Sequence, residues 1–263
     1  MKPLAEFPLA ARRQIKGVLF DIDDTLTTDG QLTPEAYASM AALKRAGLIT
    51  IPITGRPAGW CDHIARMWPV DGVVGENGAF YFWFDRAEKK LKQRFIKDDV
   101  TRRRDREKLS TIAQRILEAV PGAALASDQA YREADIAIDF CEDVPALPRA
   151  EIEKIKSMMV AAGLTSKISS IHVNGWLGEY DKLSTTRLFM KERFGIDLDS
   201  LGNDFVFIGD SPNDAPMFGY FPHSVGVANV HEFADLLAAR PTYVTLAQCG
   251  EGFEELVERL LPS

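Results

Sequence analysis

Cysteine is scarce. The chain has three in 263 residues, Cys61, Cys141 and Cys249, widely spaced and odd in number. That excludes a disulfide framework and favours reduced thiols, so a cytoplasmic protein is expected. The four histidines, His63, His172, His223 and His231, show no zinc-ligand spacing. Excess positive charge is missing too: the net charge is −7. A nucleic-acid-binding surface would be basic, so no nucleic-acid partner is expected. No run is apolar and long enough to cross a membrane. Residues 1–14 hold Lys2, Arg12 and Arg13 but no signal-peptide-like apolar stretch. Internal repeats and low-complexity segments are absent. What remains is an ordinary globular composition, 46% hydrophobic and 26% charged, long enough for one large core or two domains.

Against that background one stretch stands out. The apolar run Ile15–Phe20 reads as a buried strand, and it ends in Asp21-Ile22-Asp23-Asp24-Thr25. Three carboxylates at a strand end repel each other and resist burial. A hard cation with oxygen ligands, Mg²⁺ by preference, resolves the conflict and keeps waters for a phosphate. Taken alone the cluster also fits a solvated acidic turn.

Further segments repeat the pattern of a strand ending in polar groups. Thr33 is a natural N-cap with Pro34 and Glu35 in the first turn, so a helix starts there; Tyr37, Met40 and Leu43 share its apolar face and Gly47 stops it. Leu48–Ile53 reads as the second strand, with Pro52 at its last turn, where ladder pairing fades. It opens into Thr54-Gly55-Arg56-Pro57, where Gly55 admits a close ligand and Thr54 offers a hydroxyl and an amide. A helix over 57–67 follows, with Trp60 expected in the core. Gly72–Val74 is a third strand leading into Glu76-Asn77-Gly78-Ala79. Later, Lys182 opens a helix over 182–194. The fourth core strand, Asp204–Ile208, ends in Gly209-Asp210-Ser211-Pro212-Asn213-Asp214. The βαβ alternation predicts a doubly wound parallel sheet, whose ligands sit at the carboxyl ends of the strands. Further strands are expected at 224–227 and 242–246, and helices at 231–239 and 252–261.

The middle of the chain differs. Strand-like runs at 79–84 and 91–96, a helix over 101–119, a strand at 135–140, a helix over 148–162 and a strand over 167–173 predict a second α/β unit of antiparallel flavour. Its basic run Arg102–Arg106 is interleaved with acids and reads as a solvated face. His172, Asn174 and Trp176 precede the return to the first pattern and are candidates for facing the cleft.

Asp21-Ile22-Asp23-Asp24-Thr25 resembles the DxDxT signature of the haloacid dehalogenase superfamily. Thr54, Lys182 and the Asp210–Asp214 segment resemble its second, third and fourth motifs, in the family's order. Glu76-Asn77-Gly78-Ala79 resembles a stretch common in its class IIB, which includes sugar-phosphate phosphatases and phosphomannomutase. The resemblance covers 1–84 and 179–263. Between them residues 85–178 match, by position and size, that class's inserted α/β cap. The resemblance implies a Rossmann-like core and a Mg²⁺-dependent phosphatase acting on a small phosphorylated metabolite, a sugar phosphate. It makes Asp21 the nucleophile and Asp23 the general acid/base, with Thr54 and Lys182 on the phosphoryl oxygens. The metal would be held by Asp21, Asp23 (through its backbone carbonyl), Asp210 and Asp214. Gly55, Arg56, Glu76, Asn77, His172, Asn174 and Asn213 are candidate substrate contacts. Asp24 departs from the family, which often has Gly there. A phosphohexomutase on the same core, and a non-enzymatic phosphoacceptor, are the alternatives.

Overall fold

The computed structural model describes residues 1–261. In chain order the first half contains β1 (Lys2–Pro3), α1 (Leu9–Arg12), β2 (Gly17–Phe20), α2 (Pro34–Arg45), β3 (Ile49–Pro52), α3 (Ala58–Met67), β4 (Val73–Gly75), β5 (Phe80–Asp85), β6 (Lys90–Phe95) and α4 (Asp99–Ala119). Next come β7 (Ala124–Leu125), β8 (Asp135–Asp139), α5 (Arg149–Ala161), β9 (Thr165–Ile168) and β10 (His172–Trp176). The chain finishes with α6 (Lys182–Phe194), α7 (Leu198–Leu201), β11 (Phe205–Gly209), α8 (Ala215–Tyr220), β12 (His223–Gly226), β13 (Tyr243–Val244) and α9 (Cys249–Leu260).

Six strands form one parallel sheet in the order β1-β13-β12-β11-β2-β3. Its strands are apolar on both faces because both are covered. Successive side chains alternate between the faces. Val18, Phe20, Val206 and Ile208 pack with Met40 and Leu43 of α2 and Phe253 and Leu256 of α9. Leu19, Phe205 and Phe207 pack with Phe189 and Met190 of α6 and Met217 and Phe218 of α8. The strands at 15–20, 48–53 and 204–208 are therefore where the apolar runs put them. Pro52 ends β3 opposite Phe20, on the outer strand of this sheet, where a missing N–H costs least. The two-residue strand β1, paired with β13, has no signal in its sequence and was not expected.

Thr33 caps α2 by accepting the Ala36 N–H at 3.2 Å, as its sequence implies. Met40 and Leu43 are buried, but Tyr37 lies on the exposed side and Ala36 takes its place in the core. Trp60 is 41% exposed, not in the core; its ring instead carries the Arg56 guanidinium at 4.4 Å. The helix expected over 231–239 is a 3₁₀ turn, Ala228–Phe233. Tertiary demand explains it: the Asn229 amide donates to Asp24 O at 2.9 Å and accepts the Cys249 N–H at 3.0 Å, bridging three segments.

An isolated parallel bridge between Ile53 and Val74 extends the sheet to β4, which carries the antiparallel hairpin β5–β6. The expected boundary at residues 84/85 falls inside this hairpin, because Phe80, Phe82, Leu91 and Phe95 pack into the first core.

A second sheet, antiparallel in the order β7-β8-β10-β9, is inserted between β6 and α6. Ile136, Ile138 and Val173 pack with Leu109 and Ile116 of α4 and Ile155 and Met159 of α5. The alternate residues, Asp135, Asp139, His172 and Asn174, therefore occupy the opposite face, yet all four are buried. The single strand expected over 167–173 is two strands. Ser169 breaks it: its hydroxyl accepts the N–H groups of Ile171 and His172, at 3.4 and 3.0 Å, and its own N–H donates to His172 O. Serine closes turns in this way, and the apolar–polar alternation runs on through the turn and hides it.

Candidate active site

The site is built where β2, β3 and β11 end. Asp21 follows β2, and its N–H still donates to Ile208 O at 3.0 Å, so the strand register aims it. Its Oδ1 accepts the Ile22 N–H at 2.9 Å. Lys182 opens α6, and its Nζ reaches Asp21 Oδ2 at 3.1 Å and Asp214 Oδ1 at 2.7 Å. Asp214 Oδ2 accepts the N–H groups of Asp210 and Ser211, at 3.1 and 3.3 Å. That carboxylate packs over Gly209, where a Cβ would lie 2.3 Å from Oδ2; only glycine fits. Thr25 Oγ1 donates to Asp210 Oδ1 at 3.1 Å.

Asp21, Asp210 and Asp214 offer oxygens that all lie within 4.8 Å of one another. Asp210 Oδ2 is buried with no hydrogen-bond partner. Burial pushes Asp21 up to about 8; Lys182 opposes this, while Asp214 and Asp23 reinforce it. Asp210 is likewise pushed well up, by burial and then by Asp21 and Asp214. A buried set of hard oxygen donors, one of them unpartnered, fits a divalent cation, which would let these groups ionise together.

The helix carrying Lys182 is itself located by the Glu76–Gly78 turn. Thr185 Oγ1 donates to Gly78 O at 2.6 Å, and a Cβ on Gly78 would meet Asp181 O at 2.1 Å. Asn77 donates its N–H to Thr54 O at 3.0 Å, tying this turn to the end of β3. The Asn77 side chain accepts from Asn213 Nδ2 at 3.3 Å, while its own Nδ2 is buried without a partner. Thr54 is fully buried, its hydroxyl accepting the Arg56 N–H at 3.0 Å. Thus Asp21, Thr54, Asn77, Lys182, Asp210, Asn213 and Asp214 converge at one end of the parallel sheet.

Arg56 links this end to the inserted unit. Its Nε and Nη2 lie 2.8 and 2.7 Å from Asp23 Oδ1, and Nη2 lies 2.6 Å from Glu142 Oε1. Glu142 Oε2 in turn lies 2.9 Å from His172 Nε2. Glu76 is not open to the cleft: it accepts the N–H groups of Ala58, Glu133 and Ala134 at 3.0, 2.8 and 2.6 Å. Next to it Arg132 donates to Gly55 O at 2.9 Å and pairs with Asp128 and Asp135. Asn174 Nδ2 donates to Asp135 at 2.9 Å. Asn174 and Glu76 therefore belong to a buried bridge between the two units, with Gly55 lending its carbonyl. Trp176 is core: its indole N–H donates to Tyr180 O. Asp128, Arg132 and Glu142 were missed in the sequence, where single charges scattered over a long insertion carry no pattern.

Residues 18–118 match the family model of the haloacid dehalogenase-like hydrolases. Over that stretch the chain resembles this family. It is 25% identical over 256 residues to a phosphoglycolate phosphatase of Methanococcoides burtonii, covering 94% of this chain and 97% of that protein. A Thermoplasma acidophilum crystal structure superposes with a TM-score of 0.69 at 18% identity, covering 94% of this chain and 98% of that one. A subclass IIB sugar phosphatase of the superfamily superposes with a TM-score of 0.63 at 15% identity, covering 94% and 100%. The expected fold, a parallel Rossmann-like core with an inserted α/β cap, is the fold of these solved structures.

A cavity of about 320 Å³ opens beside Asp23, lined by Asp24, Asp29, Arg56, Glu142 and Ser170 among others. A roomier cleft of about 440 Å³, lined by Lys156, Lys167 and Pro212, touches neither Asp21 nor Asp23. Among the described residues no helix is long and apolar enough to cross a membrane.

Proposed function

We propose that this protein is a haloacid dehalogenase-like hydrolase, a Mg²⁺-dependent phosphatase that hydrolyses a small phosphate monoester, a sugar phosphate, through an aspartyl-phosphate. The observation that carries the reading is Asp21 held against Lys182 at a strand end, beside Asp210 with an oxygen unpartnered. The phosphatase names of the curated relative and of the subclass IIB structure support the same chemistry.

In this reading an Asp21 oxygen attacks phosphorus and the ester P–O bond breaks. Asp23 gives a proton to the departing alkoxide, then takes one from a water that attacks the phosphoryl group and frees Asp21. Thr54 and Lys182 hold phosphoryl oxygens as charge shifts onto them. Asp21, Asp210 and the Asp23 carbonyl would hold Mg²⁺, with Asp214 completing the set while it anchors Lys182. Mg²⁺ bound there neutralises the charge between a carboxylate and a phosphate dianion. The cap would comprise residues 96–178, the β5–β6 hairpin staying with the core, and it would exclude water and select the substrate. The cavity wall of Asp24, Asp29, Glu142 and Ser170 would meet the leaving group, with Arg56 and His172 holding Glu142 in place.

Phosphate release from sugar, glycerate and nucleotide monophosphates, with and without Mg²⁺, tests the reading. Metal-dependent release is expected; none from any ester, with folded protein, overturns it. An isomerised sugar phosphate in place of free phosphate would mark a mutase. That alternative needs a second phosphate site, and Arg102, Arg103 and Arg106 are paired with Asp99 and Glu133 instead.

A further inference from the structure

The cavity beside Asp23 is unbalanced in charge. Asp23, Asp24, Asp29 and Glu142 contribute to its wall, and Arg56 is the one cation lining it among the described residues. Arg56 is fully engaged. Its donors meet Asp23, Glu142 and, at 3.4 Å, Asp128, and its face lies on Trp60. The remaining cation near Asp21, Lys182, is buried between Asp21 and Asp214 on the phosphate side. Asp24 and Asp29 have no cationic partner among the described residues: no lysine, arginine or histidine lies within salt-bridge distance of either. Ser170 lies on the same wall, its hydroxyl beside Asp24.

An anionic substituent on the leaving group would face these carboxylates with no guanidinium or ammonium to meet it. A protonated amine would find two. Like-charge juxtaposition is a strong and cheap source of specificity. We infer that the cavity takes a polyhydroxylated leaving group bearing an amino substituent and turns away one bearing a carboxylate or a second phosphate. The inference rests on the phosphatase reading above and narrows its substrate. It separates this chain from the phosphoglycolate phosphatase it is similar to, whose named substrate carries a carboxylate.

The test compares kcat/KM of the full chain with Mg²⁺ on glucosamine 6-phosphate, glucose 6-phosphate and phosphoglycolate, with an aryl phosphate as reference. The amino ester is expected to exceed the neutral one by about tenfold, and phosphoglycolate to fall below it by at least as much. In Asp29→Asn both gaps shrink. Asparagine tolerates the left-handed backbone at this position (φ 50°), so the variant folds. Phosphoglycolate equal to or faster than glucose 6-phosphate, no advantage for the amine, or unchanged ratios in Asp29→Asn would each overturn the inference. Hydrolysis of the aryl phosphate without any of the three esters would overturn it and leave the phosphatase reading standing. No release from any ester would overturn the phosphatase reading itself.

Discussion

Lys182 and Asp214 form a buried ion pair, Nζ to Oδ1 2.7 Å, with side chains 1% and 0% exposed. They are 32 residues apart, on α6 and on the loop after β11. Burial works against the ammonium, but Asp21 and Asp214 outweigh it and raise its pKa. Asp214→Ala leaves Lys182 with Asp21 alone and strands the Asp210 and Ser211 N–H groups, so it is expected to destabilise by about 1–3 kcal/mol. Lys182→Met with Asp214→Asn should cost less than the sum of the singles. Urea melts of the four proteins check the coupling.

Asp21→Asn should lower kcat more than about 10⁴-fold, because it removes the proposed nucleophile. Asp23→Asn should slow both chemical steps, trapping label on Asp21 if the second step suffers more. Rapid-quench assays with ³²P-labelled substrate read both outcomes.

Mg²⁺ should raise the melting temperature of the wild type. A ligand at a hundred times its dissociation constant adds about 2.7 kcal/mol. Asp210→Asn should lose most of that shift, since Asp210 Oδ2 is the unpartnered donor. Chelation should abolish turnover and excess Mg²⁺ restore it. Thermal melts with and without the ion make the comparison independent of activity.

Glu76→Ala would strand the Ala58, Glu133 and Ala134 N–H groups. A loss of about 3 kcal/mol or more is expected. Since two of those donors are in the inserted unit, protection of amides at 128–135 should fall in hydrogen exchange. Unchanged protection there would show that Glu76 does not bind the two units together.

Glu142 gives a pH dependence with a definite sign. Burial alone would raise its pKa, but the His172 imidazole and the Arg56 guanidinium against it outweigh that and bring it down to about 2. The folded value lies below the unfolded one, so this stabilisation is present above about pH 4.5 and is lost as pH falls toward 2. Glu142→Gln should therefore narrow the stability difference between pH 5 and pH 3 relative to wild type. Melting temperatures across that range, in matched salt, test it.

Much of this molecule is written locally. The runs Val18–Phe20 and Phe205–Gly209, the Thr33 cap and the acids placed just after strands follow from short-range rules of periodicity, capping and burial. A parallel sheet then gathers its strand ends at one edge, so Asp21, Thr54, Asp210 and Asp214 could be assigned to one site before any coordinates, and the resemblance to the haloacid dehalogenase motifs added Lys182. Hidden from the sequence were the partners of the inserted unit. Glu142 reaches Arg56 across 86 positions and Arg132 reaches Gly55 across 77, through isolated charges with no spacing rule. The Ser169 turn also hid inside a continuing alternation, and with it the face that β10 presents. Sequence by itself determined which residues can form strands and which acids end them. The tertiary structure decided which charges are neutralised, which are left facing the cavity and where the two units meet. Pairing of charges depends on distances that only the folded chain sets.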